Sequence, residues 1–149
     1  MQLINFRPPR IGMLFALLAT VLHLLFPTPE ECSFSSPVIG VTLGAAGFTA
    51  MMWSWVLFRK GDVAICPTAR TTRLITGGVY RISRNPMYLG MASMLSGLAF
   101  YIGTPPFYLA AIGYFIVLNY VFCPYEEAKL LAAFKEEYAN YRARVRRWL

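Results

Sequence analysis

Apolar residues in this chain gather into four runs separated by polar segments, each too long and too unbroken for a strand. The first run, Ile11 to Phe26, is stopped by Pro27 and Pro29. At roughly 16 residues it is short for a membrane span but workable with interfacial flanks. The second, Val38 to Phe58, has about 21 residues, the length a bilayer requires. Its Gly40-xxx-Gly44 spacing lets a neighbouring helix approach closely, and Trp53 and Trp55 near its end suit the headgroup level. The third runs from Met87 to Ile102. Asn85 sits at its N-cap, Pro86 at the first helical position, and Gly103 at its end, with Pro105-Pro106 beyond. The fourth, Phe107 to Cys123, ends at Pro124. The turn between the third and fourth runs allows only an antiparallel helical hairpin.

The remainder, Tyr125 to Leu149, is amphipathic. Leu130, Leu131, Phe134, Tyr138, Tyr141, Val145 and Trp148 recur at three- to four-residue steps, while Arg142, Arg144, Arg146 and Arg147 crowd the end. The pattern predicts a helix lying on a membrane surface with its arginines near anionic headgroups. The expected fold is therefore all-α: an integral membrane protein with four transmembrane helices and a C-terminal amphipathic helix. It forms one domain over residues 1–149, with an N-terminal two-helix part (1–58) and a part (59–149) holding a polar loop, the hairpin and the last helix.

Composition supports the membrane reading. The chain is 57% hydrophobic and 14% charged, with mean hydropathy +0.50, against a charged fraction of about 25% in soluble domains. The net charge of +7 invites a nucleic-acid reading, but its distribution argues against one. The 14 Lys and Arg residues fall as two, six and six in the N-terminal segment, the middle loop and the tail. Four spans put those three segments on one side, and the two opposite loops carry none. The positive-inside rule then places both termini in the cytoplasm. The three cysteines, Cys32, Cys66 and Cys123, lack metal-ligand spacing and are expected to be structural thiols. No small-residue cleavage site follows the first run, so it is expected to remain as a span. Short loops and the absence of targeting signals lean towards a prokaryotic inner membrane.

Chemistry-bearing residues concentrate at the expected cytoplasmic ends of the hairpin. Thr76 to Gly90 holds Arg81, Arg84, Tyr80, Tyr88 and the Asn85-Pro86 step, and Glu126-Glu127 directly follow the fourth run. The hairpin returns both to one face, where a basic-aromatic wall meets a carboxylate pair. Such a site suits a zwitterion, its carboxylate on an arginine and its ammonium on a glutamate.

Together these pieces carry a resemblance. Gly78-Val-Tyr80, Arg84-Asn-Pro-Met-Tyr-Leu-Gly90, Glu126-Glu127 and Phe134-Lys-Glu-Glu-Tyr138 with Tyr141 resemble, in order and spacing, the isoprenylcysteine carboxyl methyltransferase and phospholipid methyltransferase superfamily. The likeness covers roughly Thr68 to Leu149. It implies a membrane enzyme moving a methyl group from S-adenosyl-L-methionine to a lipophilic or small hydrophobic acceptor (a carboxylate, amine or thiol). By matching position it implies a cofactor pocket of Thr72, Arg73, Leu74, Ile75, Tyr80, Asn85, Pro86, Met87, Tyr88 and Glu126, with Arg84, Asn85 and Glu127 as catalytic candidates and no metal. Two departures point away from prenylcysteine as acceptor. Asn85 stands where those enzymes have His, and Asn cannot titrate. Their substrate-contacting Arg, about one turn before the glutamates, is missing from Asn119-Tyr-Val-Phe-Cys123.

Plainer readings exist for each piece. Arg81 and Arg84 suit topology anchors, Glu126-Glu127 the positive end of a helix dipole, and Tyr80 and Tyr88 an aromatic belt. His23 reads as an interfacial or helix-packing residue, and Met51 and Met52 as packing. The functional reading gains because all three plain explanations would have to hold at once in adjacent places. Two other functional classes stay open: a nicotinamide-dependent sterol-type membrane reductase, whose relatives are much longer, and a non-catalytic membrane scaffold.

Overall fold

A computed structural model describes residues 7–29, 32–61 and 73–149. They form helices α1 (Pro8–Leu25), α2 (Pro37–Lys60), α3 (Pro86–Ile102), α4 (Pro105–Val117) and α5 (Cys123–Arg144). A 3₁₀ turn (Gly78–Arg81) precedes α3, a π-helical turn (Leu118–Phe122) joins α4 to α5, and no strand occurs among the described residues. Each helix has a proline at its first or second position, where the missing N–H leaves no hydrogen bond unmade.

The third helix is the centre of the bundle, packing on α2, α4 and α1. It meets α2 antiparallel through paired glycines. A Cβ on Gly47 would lie 2.6 Å from the Gly90 carbonyl oxygen, and one on Gly40 would lie 2.7 Å from that of Gly97. Seven residues separate the glycines on each helix, two full turns, so both pairs fall on one seam where the backbones touch. Gly40 thus packs as its spacing predicts. A Cβ on Gly44 itself would meet nothing within 4 Å.

On the other side of α3, Tyr88, Met91, Ala92, Leu95 and Ala99 pack with Phe107, Ala110, Ala111, Tyr114 and Leu118 of the α4 segment, and Ile11 and Ala19 of α1 close the cluster. The Tyr114 hydroxyl donates to the Pro8 carbonyl at 3.0 Å, which ties α1 to α4. Large apolar side chains point outward along α1 and α2, among them Leu17, Leu24, Val38 and Phe48, as a lipid-facing surface requires. His23 edges the Phe107 ring, which is a packing role.

The hairpin forms as predicted: α3 ends at Ile102, capped by Gly103 with φ +81°, and α4 returns at Pro105 after two residues. Two expectations need correction. Three helices, Pro8–Leu25, Pro37–Lys60 and the continuous Pro105–Arg144, are long and apolar enough to cross a membrane, not four. The 17-residue α3 is about 25 Å long, short of the ~30 Å hydrocarbon core.

The second correction concerns Pro124, which does not end the fourth run. The helix passes through it without a break, so the last helix begins as an extension of α4, and a further helical stretch runs on to Arg144. The π turn explains how. The Cys123 N–H reaches back five residues to the Leu118 carbonyl, a wider register that absorbs the donor Pro124 lacks. A kink follows at Lys135, with φ 44° and ψ −114°, where the helix changes direction.

Candidate functional site

The N-terminus of α3, the start of α5 and the end of α2 meet at one end of the bundle. Gly78, with φ +62°, opens the 3₁₀ turn against α2; a Cβ there would lie 2.8 Å from Leu57 Cδ1. The turn buries Val79 and Tyr80. Tyr80 lies against the Phe58 ring at 5.8 Å between centroids, and its hydroxyl is hydrogen-bonded to the buried Ser54. Burial pushes its phenol above the ordinary range, and the charge of Glu126 adds to that rise. Tyr80 is therefore a neutral hydrogen-bonding group. Its carbonyl accepts from the Tyr141 hydroxyl at 2.7 Å, so α5 grips the turn from the other side.

The two glutamates have different surroundings. Glu127 is buried, and its carboxylate takes a two-pronged bond from Arg147, Nε to Oε1 at 2.8 Å and Nη2 to Oε2 at 2.9 Å. Arg84 adds Nη1 to Oε1 at 3.2 Å. One carboxylate is thus shared by two guanidiniums. Arg147 gains correspondingly: its hydrogen bond to Glu127 raises its proton affinity further above an already high range. Glu126 is half-buried and hydrogen-bonded to the Tyr88 hydroxyl. The Tyr88 ring rests edge-on to Phe122 of the π turn, so the irregular backbone that admits Pro124 also seats this pair.

The last residues, expected at lipid headgroups, turn inward. After Arg144 the chain leaves the helix at Val145, φ −120° and ψ 131°, and runs back over the N-terminus of α3 as a strap. The Arg84 N–H donates to the Arg146 carbonyl at 3.0 Å. The Arg147 carbonyl accepts from Ser83 Oγ at 3.1 Å and Asn85 Nδ2 at 3.3 Å. Trp148 Nε1 donates to Asn119 Oδ1 at 3.0 Å while its ring lies on Phe115. Arg147 Nη1 reaches the same Asn119 oxygen at 3.3 Å.

The structure brings Tyr80, Arg84, Asn85, Pro86, Met87, Tyr88, Glu126 and Glu127 together at this end. Asn85 occupies the N-cap position, but its side chain reaches the strap and makes no capping bond. Arg73 is exposed and Leu74 and Ile75 are half-buried; among the described residues no hydrogen bond joins them to Glu126 or Tyr88. Thr72 lies outside the described residues. Sequence reasoning missed Ser83, Asn119, Tyr138, Arg147 and Trp148. A buried carboxylate demands a counter-charge, and the cluster of arginines at the end of the tail, on the expected face of Glu127, was the sequence signal that could supply a second one.

The donors and acceptors suit a zwitterionic ligand carrying an extra positive centre. Glu126 offers a carboxylate beside two neutral tyrosines. Arg84 Nε is buried and has no hydrogen-bond partner among the described residues, which leaves a donor for a ligand oxygen. The sequence profile of one family, phospholipid methyltransferase, matches residues 35–137. Comparisons with curated proteins and with solved structures return no match.

Proposed function

The chain belongs to the phospholipid methyltransferase family, one of the superfamily of membrane methyltransferases that also holds the isoprenylcysteine carboxyl enzymes, and from that premise we propose that it transfers a methyl group from S-adenosylmethionine to a lipophilic acceptor at the cytoplasmic face of a membrane. The observation that carries this reading is the split of the glutamate pair. Glu127 has both oxygens committed to Arg147 and Arg84, while Glu126, among the described residues, faces a tyrosine hydroxyl and the charge of Lys129. Glu126 is the carboxylate left for a cationic ligand.

When bound, the cofactor supplies a methyl group on a sulfonium sulfur, open to in-line displacement by an acceptor lone pair. Glu126 would hold its ammonium and Arg84 Nε its carboxylate, with Tyr80 and Tyr88 as neutral aromatic walls. Pro86 and Met87 would complete the pocket. Alignment of the acceptor and exclusion of water then supply most of the catalysis. Glu127 acts as a positioning residue, fixing Arg84 through charge-assisted bonds. Asn85 orients by hydrogen bonding and cannot remove a proton. A carboxylate acceptor therefore needs no further group, whereas an amine would have to arrive neutral. Although α3 is short, it runs antiparallel to both α2 and α4, and a short helix can still cross a locally thinned bilayer. The two-six-six split of the 14 Lys and Arg residues, with none in the α1–α2 and α3–α4 turns, then supports cytoplasmic termini.

Calorimetric titration of the full chain in nanodiscs with S-adenosylmethionine, and with its demethylated product, tests this reading. Saturable binding is expected, and Glu126→Gln should weaken it about tenfold. Absence of binding to either compound would sink the proposal.

A further inference from the structure

Two arginine pairs with the same three-residue spacing converge on this end of the protein: Arg81 with Arg84, and Arg144 with Arg147. Their inner members, Arg84 and Arg147, share Glu127. Their outer members, Arg81 and Arg144, flank a separate cleft of about 440 Å³ lined by Thr76, Gly77, Arg81, Tyr141, Arg144 and Val145. Among the described residues no carboxylate lines it, and neither outer arginine is in an ion pair. Arg144 spends only Nε, on the Asn140 carbonyl at 3.2 Å, and both side chains are exposed.

Two cations from different elements face one cleft with no counter-charge among the described residues, and an anion between them would relieve their mutual repulsion. Arginine forks take oxyanions two-pronged. A carboxylate has two oxygens in one plane. A tetrahedral phosphate spreads its oxygens out of plane, four in the free anion and two strong acceptors plus two ester oxygens in a lipid diester, so that both forks and the Thr76 hydroxyl can approach from different sides. We propose that the Arg81–Arg144 cleft is a binding site for a phosphate-class oxyanion, distinct from the Glu126 site and independent of the methyl-transfer reading. The anion comes from a lipid headgroup or from free phosphate. Bound there, it ties the 3₁₀ turn to the end of α5. The Tyr141–Tyr80 bond already joins those two elements, and the strap leaves α5 directly beyond Arg144.

The test is thermal unfolding of the full chain in neutral maltoside micelles under two titrations: with inorganic phosphate, and with short-chain phosphatidylglycerol as the lipid probe. Saturable stabilisation by phosphate in micelles identifies a free anion. Stabilisation only by the anionic lipid identifies a headgroup. In either case Arg81→Gln and Arg144→Gln should each raise the half-saturating concentration about tenfold. Arg142→Gln, an exposed neighbour outside the cleft, should leave it unchanged. Stabilisation by neither probe, or stabilisation that persists in the Arg81→Gln/Arg144→Gln double variant, overturns the proposal. The variants' melting points without ligand report separately that the fold is intact.

Discussion

Arg147 holds Glu127 through two parallel bonds of 2.8 and 2.9 Å, joining the last residues of the chain to the start of α5. Because the Arg147 and Arg146 carbonyls also accept from Ser83, Asn85 and Arg84, that one pair fixes the strap over the N-terminus of α3. Charge neutralisation and backbone registration thus occur at the same place.

Breaking the pair should be costly. Glu127→Gln leaves Arg84, 10% exposed, without its counter-charge, at a cost of about 3 kcal/mol. Arg147→Gln, at a side chain 31% exposed, should cost about 1–2 kcal/mol. A double-mutant cycle followed by thermal unfolding in detergent should give a coupling energy of at least about 0.5 kcal/mol. Additive losses would show that the two residues act separately.

The glycine seam makes an internally controlled prediction. Gly47→Ala or Gly90→Ala puts a methyl 2.6 or 2.5 Å from a facing carbonyl oxygen, so α2 and α3 must separate, for about 1–3 kcal/mol. Gly44→Ala, with nothing within 4 Å, should be neutral or stabilising by up to about 1 kcal/mol. Equal melting points for Gly44→Ala and Gly47→Ala would contradict the seam.

Tyr141→Phe removes the 2.7 Å bond to the Tyr80 carbonyl and should cost about 1–2 kcal/mol. Proteolysis of the 73–81 segment should accelerate in parallel, since Tyr141 is its grip on α5. An unchanged cleavage rate would mean that other contacts hold the turn.

Cysteine accessibility reports both packing and orientation. Cys32 is exposed, and Cys123 is buried. In a Cys66→Ser background, a maleimide should label Cys32 and spare Cys123 until the protein is denatured. The structural role expected for the thiols thus holds for Cys123 alone of the two. With cytoplasmic termini, a membrane-impermeant maleimide should reach Cys32 from outside intact cells. Labelling only after lysis would reverse the proposed topology.

Much of this was legible in the sequence, for physical reasons that can be named. Proline and glycine punctuation set the ends of α2 and α3 to within two residues, because Pro86 and Gly103 suit only the first and following positions of a helix. The hairpin then put Glu126 near Tyr88 without any further information. Pro124 misled because a proline inside a helix costs about 3 kcal/mol unless the preceding turn widens, and a π turn leaves no compositional mark. The strap misled for a related reason. Arg147 and Trp148 continue the amphipathic spacing of α5, so their departure into extended backbone, and the bonds to Glu127 and Asn119 it permits, depend on contacts that no local pattern encodes.

The central claim is methyl transfer supported by Glu126, and labelled methyl donor tests it most directly. The full chain in native-lipid nanodiscs would be incubated with S-adenosylmethionine carrying a radioactive methyl group, and the organic phase counted after extraction. The account predicts label in that phase that grows with time and falls at least about tenfold in Glu126→Gln, while that variant unfolds at the wild-type temperature. Label at background for the wild-type chain, or undiminished in Glu126→Gln, would contradict it.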